Sequence, residues 1–242
     1  MASVALGCAG AIRRIASALD DVVGLGAPAA CAGCGRPGWV LCPDCEAGLL
    51  GAPRRHRPTP APAHWVPTHV VSDYSGTARR ALTAWKEAGR RDMAARLAPA
   101  LAAALVASAS ALAGCCDDAA PITVVPVPAS AAALRRRGED AWARVVRCAV
   151  ELMPITAPRM RVVRCLRHVR QPRDQAGLSA AERRVNLTGA MACTGLPAGP
   201  VVVVDDIVTT GATIAEAARA LRAAGACHVG AAAIAATSRA GR

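Results

Sequence analysis

Two carboxylates, Asp205 and Asp206, directly follow four consecutive valines, and a hydroxyl-rich turn comes next: VVVVDDIVTTGAT runs from Val201 to Thr213. Four β-branched apolar residues in a row predict a strand buried on both faces, as in a parallel sheet. Ligands of open α/β sheets sit beyond the carboxyl ends of the strands, which is where this segment puts its acids. Adjacent carboxylates on an extended backbone diverge, so one can reach a pair of sugar hydroxyls or a Mg²⁺ ion while the other turns aside. Gly211 admits a positive φ and a close backbone approach. Successive N–H groups of the turn, with the positive end of the helix that follows, form an anion site. The hydroxyls of Thr209, Thr210 and Thr213 add donors for phosphate oxygens. The ligand chemistry that fits is a phosphorylated sugar with free hydroxyls.

Three other uses of such a strand compete with this one. An ATPase acidic strand needs a phosphate loop ending in Gly-Lys-Ser/Thr, and the chain has one lysine, Lys86, in AWKEAG. A receiver-type phosphoacceptor aspartate does not call for Thr-Thr-Gly-x-Thr four residues on. An ordinary buried strand with a solvated turn has no need of two adjacent acids and three threonines around a glycine. The segment resembles the phosphoribosyl pyrophosphate (PRPP) motif of type I phosphoribosyltransferases. That resemblance implies that Asp205 and Asp206 hold the ribose 2′- and 3′-hydroxyls. It also implies that Thr209, Thr210, Gly211, Ala212 and Thr213 wrap the 5′-phosphate.

A second constellation lies near the N-terminus. CAGCGRPGWVLCPDC carries Cys31 and Cys34, then Cys42 and Cys45. Each Cys-x-x-Cys can bring two thiolates to one metal through a tight turn, and two pairs make a closed tetrahedral Cys₄ site suited to structural Zn²⁺. A redox pair is the competing reading, and two pairs this close favour metal. Cys8, Cys115, Cys116, Cys148, Cys165, Cys193 and Cys227 show no such spacing and read as small core residues. The fragment GLGAPA, which mimics a dinucleotide fingerprint, contains Pro28 and leaves no room for a helix before Cys31.

The formal net charge is +12, which favours an anionic partner such as a nucleotide, a pyrophosphate or a nucleic acid, or simply a solvated basic surface. The excess is concentrated between Arg135 and Arg184. With one lysine, arginine supplies the other 28 of the 29 basic residues, a bias that a GC-rich genome explains without a functional cause. In the opening MASVALGCAGAIRRIASALDDVV, Arg13 and Arg14 follow the apolar stretch rather than precede it, which is not the order of a secretory signal. Ile12, Ile15, Leu19 and Val22 share one face of a short helix instead. Leu97 to Cys116 has span length without charge, but Ala and Ser dominate it, so a buried helix is expected and no membrane span. With neither a secretory signal nor a membrane span expected, the expectation is a cytoplasmic protein.

The elements that must position these groups alternate. Residues 1–24 predict an N-terminal helix, 25–52 a Cys₄ zinc knuckle, and 53–67, with Pro53, Pro58, Pro60, Pro62 and Pro67, a linker. From 68 to 242 strands and helices alternate. A strand and polar turn precede helical periodicity through Leu82, Trp85, Leu97, Leu101 and Leu105. PITVVPVPAS is a buried strand, an Arg-rich turn and a helix follow, and Val162 to Val169 is a further strand. QPRDQAGLSAAERRVNLTGAM gives a loop and helix, and the Val201 strand, a helix from Thr213 to Ala224 and a strand from Val229 to Ala235 complete the unit. The pattern implies an α/β fold with a mostly parallel sheet flanked by helices.

Four blocks, in order, make the whole chain resemble the ComF family, in which a zinc knuckle precedes a phosphoribosyltransferase-like domain. They are the Cys₄ segment, YSGTARRALTAWKEAGR, VVPVPASAAALRRRGEDAW, and CLRHVRQPRDQAGLSAAERRVNLTGAM before the PRPP motif. The family usually continues its Arg-Gly turn with Phe-Asn-Gln, whereas Arg137-Gly138 is followed here by Glu139-Asp140-Ala141. The resemblance implies a PRPP-binding protein with Mg²⁺, whose pyrophosphate loop is Pro126–Ser130 and whose closing loop is roughly Arg167–Arg184. Arg135, Arg137, Arg167 and Arg170 are candidate pyrophosphate contacts, and no catalytic residue or base-recognition hood is identifiable. It also implies a role in natural competence and DNA uptake, with single-stranded DNA and DNA-processing proteins as partners. Transferase turnover and single-strand binding without turnover are its two readings.

Overall fold

The computed structural model describes residues 30–87, 89–113, 120–129, 134, 140–170, 186–195 and 199–238. In chain order the elements are α1 (Pro43–Leu49), β1 (Arg54–His56), β2 (Thr68–Asp73), α2 (Gly76–Lys86), α3 (Met93–Leu112), β3 (Ile122–Pro126), α4 (Ala141–Glu151), β4 (Met160–Val162), β5 (Leu166–His168), β6 (Met191–Cys193), β7 (Val201–Val208), α5 (Ala212–Ala223) and β8 (Val229–Ala236). Runs that are apolar on both faces take the middle of a sheet. The all-valine start of β7 and the alanine-rich β8 accordingly lie at the centre of a six-stranded sheet ordered β1-β2-β8-β7-β3-β4. Every neighbouring pair is parallel except β1, which runs antiparallel along the outer edge of β2. This is the mostly parallel, helix-flanked α/β arrangement that the sequence predicts.

Side chains alternate across β7, so one strand feeds two cores. Val202 and Val204 pack with α2, α3 and α4 on one face, and Val201 and Val203 pack with Ile214, Ala217 and Leu221 of α5 on the other. α3 is the crossover helix between β2 and β3, lying across β2 and β8 and beside α4. Alanines on both elements let them approach closely: a Cβ on Gly230 would lie 2.9 Å from the Ser108 Oγ. α3 is long and apolar enough to cross a membrane by length and composition, and most of it is buried within the fold.

Three local expectations change. The Pro-rich segment expected as a linker contains β1, whose register on β2 pairs Arg54 with Val70 and His56 with Thr68. The strand expected over Val162–Val169 is two strands. The Val163 N–H still bonds the Val124 carbonyl, but the chain then leaves the sheet, and β5 pairs antiparallel with β6 in a separate two-stranded hairpin. Burial explains the departure, since Cys165 and Leu166 turn into the α5-side core. Met191, expected to close a helix, opens β6. The N-terminal helix expected over 1–24, Arg135, Arg137, Glu139 and most of the expected closing loop lie outside the described residues.

Candidate functional site

The segment after β7 turns sharply because its backbone demands it. Gly211 has φ +74°, in the left-handed region, and immediately precedes α5. The space is also closed to a side chain: a Cβ there would meet Trp65 Cζ3 at 2.5 Å and Pro58 Cγ at 2.9 Å. The Pro-rich segment therefore backs the turn, and Arg222 of α5 holds it by donating to the His64 carbonyl at 3.3 Å. Gly211, the N-cap of α5, has no side chain to offer, and the Thr210 Oγ1 instead accepts the N–H of Ala212, the first residue of the helix, at 3.4 Å. Thr209 is exposed, Thr210 and Thr213 are half-buried, and Gly211 and Ala212 are buried. The arrangement is a tight turn presenting N–H groups and hydroxyls at the positive end of a helix, beyond the carboxyl end of a central strand. Such a turn can bind a phosphate group.

Asp205 and Asp206 stand just before this turn and have different surroundings. The Asp205 Oδ1 accepts the Asp206 N–H at 2.9 Å. Burial and the neighbouring Asp206 charge push the Asp205 carboxyl up to about 7, against the opposing pull of Lys86 and that N–H. Asp206 is held by the one lysine of the chain: Lys86 Nζ lies 2.8 Å from its Oδ1 and 2.7 Å from its Oδ2. Burial works against the Lys86 charge, yet the Asp206 partnership outweighs it and raises the ammonium above its ordinary value. Sequence reasoning used Lys86 only to exclude a phosphate loop. A signal was present: where composition has turned every other basic residue into arginine, the one retained lysine occupies the acidic end of the sheet.

Lys86 reaches Asp206 because α2 does not run back along the sheet, a path taken by α3. α2 packs beside α1 instead. Its apolar face, Ala78, Ala81, Leu82 and Trp85, is buried. Trp85 meets Trp142 of α4 edge-on with ring centroids 5.9 Å apart, and the Trp142 Nε1–H donates to the Val204 carbonyl at 3.2 Å. This aromatic pair supports the end of α2 just below the acids.

The remaining predicted anion contacts divide. Arg170 donates to the carbonyls of Asn186 and Thr188, at 2.8 and 3.1 Å, and so ties the two ends of the β5–β6 hairpin. Arg167 is exposed on β5. His168 links that hairpin to the loop after β3, with Nε2 3.1 Å from the Pro128 carbonyl. The hairpin is also fastened to α5: Glu216 accepts the Met191 N–H at 2.9 Å and pairs with Arg219, which donates to the Met191 carbonyl at 2.8 Å. Asp140, one of the residues that departs from the ComF pattern, is the N-cap of α4. It accepts the Ala143 N–H at 3.1 Å and pairs with Arg164 at 2.7 Å.

The four N-terminal cysteines converge. Their Sγ atoms all lie within 4.8 Å of one another, and Cys34 and Cys42 are 3.6 Å apart. A tetrahedron with bonds of about 2.3 Å has edges of about 3.8 Å, so the donor set is compatible with structural zinc. Cys31 Sγ accepts N–H groups from Gly33 and Cys42 at 3.4 and 3.2 Å. Burial opposes the Cys31 anion, but the amides of Cys42, Cys34 and Gly33 outweigh it and bring the thiol to about 6. Cys45 is pushed up to about 12 by burial, by hydrogen bonds to its three partners and by the Cys31 charge. A divalent cation binds such a cluster as four thiolates, with release of the thiol protons. The cluster is part of the main core rather than a separate body, since Cys31, Leu41, Cys42, Cys45 and Leu49 pack with α2 and α3. Arg80 of α2 donates to the Gly33 carbonyl, and Arg96 of α3 pairs with Glu46 at 2.8 Å.

A family model described as the phosphoribosyl transferase domain matches residues 146–241, less than half of the chain. The span begins within α4 and takes in β4 to β8, including the acidic pair and the turn before α5. No curated protein matches the chain. The fold and this match together make the protein phosphoribosyltransferase-like, with a type I arrangement of its sheet and helices and a four-cysteine cluster near the N-terminus.

Proposed function

We propose that this chain binds PRPP, with Mg²⁺, at the turn between β7 and α5, as a member of the ComF competence family acting in DNA uptake and natural transformation. The observation that carries the reading is the Thr209–Thr213 turn at the start of α5, beside an acidic pair, within the span matched by the phosphoribosyl transferase domain. In this reading the turn holds the 5′-phosphate and Asp205 accepts sugar hydroxyls. Bound Mg²⁺ offsets pyrophosphate charge. The loop after β3, which His168 fixes to the hairpin, is the pyrophosphate side of the site in this reading. Transfer, where it occurs, proceeds at the ribose anomeric carbon with departure of pyrophosphate. A cytoplasmic location accompanies the reading, since every described cysteine is free.

Calorimetry of the full chain with PRPP and Mg²⁺ tests it. Binding is expected, and Asp205→Asn should weaken it by about tenfold or more, the scale of one hydrogen bond to a charged group. Absence of binding in the wild type overturns the reading. The net charge of +12 favours a second activity, binding of single-stranded DNA without transferase turnover. Few aromatics are available for base stacking, so such binding would be phosphate-directed and steeply salt-dependent. An anisotropy titration that finds no affinity for single strands at low salt removes this second activity.

A further inference from the structure

Both oxygens of Asp206 are already engaged by one ammonium, at 2.8 and 2.7 Å. The accessible member of this pair is the cation: the Lys86 side chain is 33% exposed and that of Asp206 13%. An ammonium has three N–H donors. Lys86 directs donors at Asp206, and among the described residues it has no other hydrogen-bond acceptor. A ligand arriving at the end of β7 therefore meets Asp205 as an acceptor and Lys86 as a donor, with Asp206 behind Lys86. The electrostatics agree. Two uncompensated carboxylates would repel a phosphorylated sugar, whereas one carboxylate beside a Lys–Asp pair presents far less negative charge to it.

We propose that Lys86 is a binding and specificity-determining residue that donates to a hydroxyl oxygen of the sugar's vicinal diol, that Asp205 accepts from the same diol, and that Asp206 acts as a positioning residue by holding Lys86. A diol presents both donors and acceptors, and a site with one carboxylate and one ammonium satisfies both, which a pair of carboxylates cannot. The resemblance to the PRPP motif gives both aspartates to the ribose hydroxyls, whereas the Lys86 ammonium on Asp206 gives the two different surroundings. This inference rests on the sugar-phosphate reading above.

The test uses the full chain, with ribose 5-phosphate and the same sugar phosphate lacking both ring hydroxyls, 2,3-dideoxyribose 5-phosphate, as probes in calorimetry. The wild type should prefer the diol. Lys86→Met should lose about tenfold or more of its affinity for ribose 5-phosphate, with little change for the dideoxy sugar, so that the preference collapses. The double variant Lys86→Met/Asp206→Asn separates contact from charge balance, because it removes the unpaired carboxylate that Lys86→Met leaves behind. It also serves if Lys86→Met alone does not fold. The double variant should remain as weak toward ribose 5-phosphate as Lys86→Met. Recovery of wild-type affinity in the double variant overturns the proposal, since Lys86 would then only neutralise Asp206. Equal losses on both sugars also overturn it, because Lys86 would then serve the phosphate. A wild type that binds neither sugar phosphate nor PRPP defeats the sugar-phosphate reading itself, a result distinct from normal binding that ignores Lys86.

Discussion

Gly211→Ala is the most direct probe of how the turn between β7 and α5 is built. Two separable costs follow from its geometry. The backbone sits at φ +74°, and an L side chain in the left-handed region costs about 1–2 kcal/mol. The new methyl carbon would also lie 2.5 Å from Trp65 Cζ3 and 2.9 Å from Pro58 Cγ, and overpacking of this kind costs about 1–3 kcal/mol. Together they make about 2–5 kcal/mol. For a chain of this length each kcal/mol shifts the melting temperature by about 2–4 °C, so a fall of about 4–20 °C is expected in a thermal scan. Sugar-phosphate affinity should fall with it, because the turn must move away from Trp65 to admit the methyl group. The two costs can be told apart by adding Trp65→Leu. In the double variant the overlap with Trp65 is relieved but the φ penalty stays, so a favourable coupling of about 1–2 kcal/mol should appear in a double-mutant cycle. If Gly211→Ala melts within about 2 °C of the wild type, below the shift expected from the smallest cost, the reasoning is refuted. If the coupling with Trp65 is zero, the packing half of it fails.

Two further outcomes follow from the surroundings of the acids and the cysteines. Asp205 titrates at about 7 in the fold against an ordinary value of 3.8. Folding therefore favours its protonated form, a contribution fully present below about pH 3.8 and lost as pH rises through about 7. Asp205→Asn should melt higher than the wild type at pH 8 and lose that advantage toward pH 4, while its affinity for ribose 5-phosphate drops. Parallel melting curves across this range would show that the burial cost is not there. Stripping divalent metal from the cysteine cluster with a chelator should lower the melting temperature and weaken ribose 5-phosphate binding by about fivefold or more, the scale of coupling between linked sites. Unchanged affinity in the stripped protein would mean that the cluster and the site are energetically independent.

What could be read from the sequence was whatever is local. The strand, acids, turn and helix of Val201–Ala223 follow from one unbroken pattern, and the convergence of Cys31, Cys34, Cys42 and Cys45 follows from two short spacings. The alternation of strands and helices was enough for the α/β class. The parts that were not readable depend on contacts between distant segments. Lys86 meets Asp206 across 120 positions of sequence, and no periodicity marks such a pair. Trp65 backs Gly211 from a segment whose prolines suggest only a linker. β1 hides in that segment because three residues, Arg54–His56, pair along an edge where one face is left to polar side chains. Asp140 stands in the sequence only as a departure from the Phe-Asn-Gln that usually follows the Arg-Gly turn, and its part as a helix cap is visible only with the Ala143 N–H and Arg164 around it.

These long-range contacts converge on α2, and they join the cysteine cluster to the phosphoribosyltransferase-like fold. A helix of 11 residues is too short to persist on its own. The sheet gives α2 little of its cover, since α3 takes the crossover path, so α2 needs walls from elsewhere. One wall is the cysteine cluster. Thr77 of α2 packs where a Cβ on Gly33 or Gly48 would lie, and Arg80 donates to the Gly33 carbonyl. The other wall is the Trp85–Trp142 contact, which is anchored to β7 through the Val204 carbonyl. Between them the last residue of the helix, Lys86, is delivered to Asp206. A lysine on a loose helix end would give up side-chain entropy of order 2 kcal/mol to hold this position, against a modest gain from a half-exposed ion pair. Fixing the helix removes the backbone share of that cost in advance. The four cysteines are thus part of the support of the candidate site, one helix away from its acids.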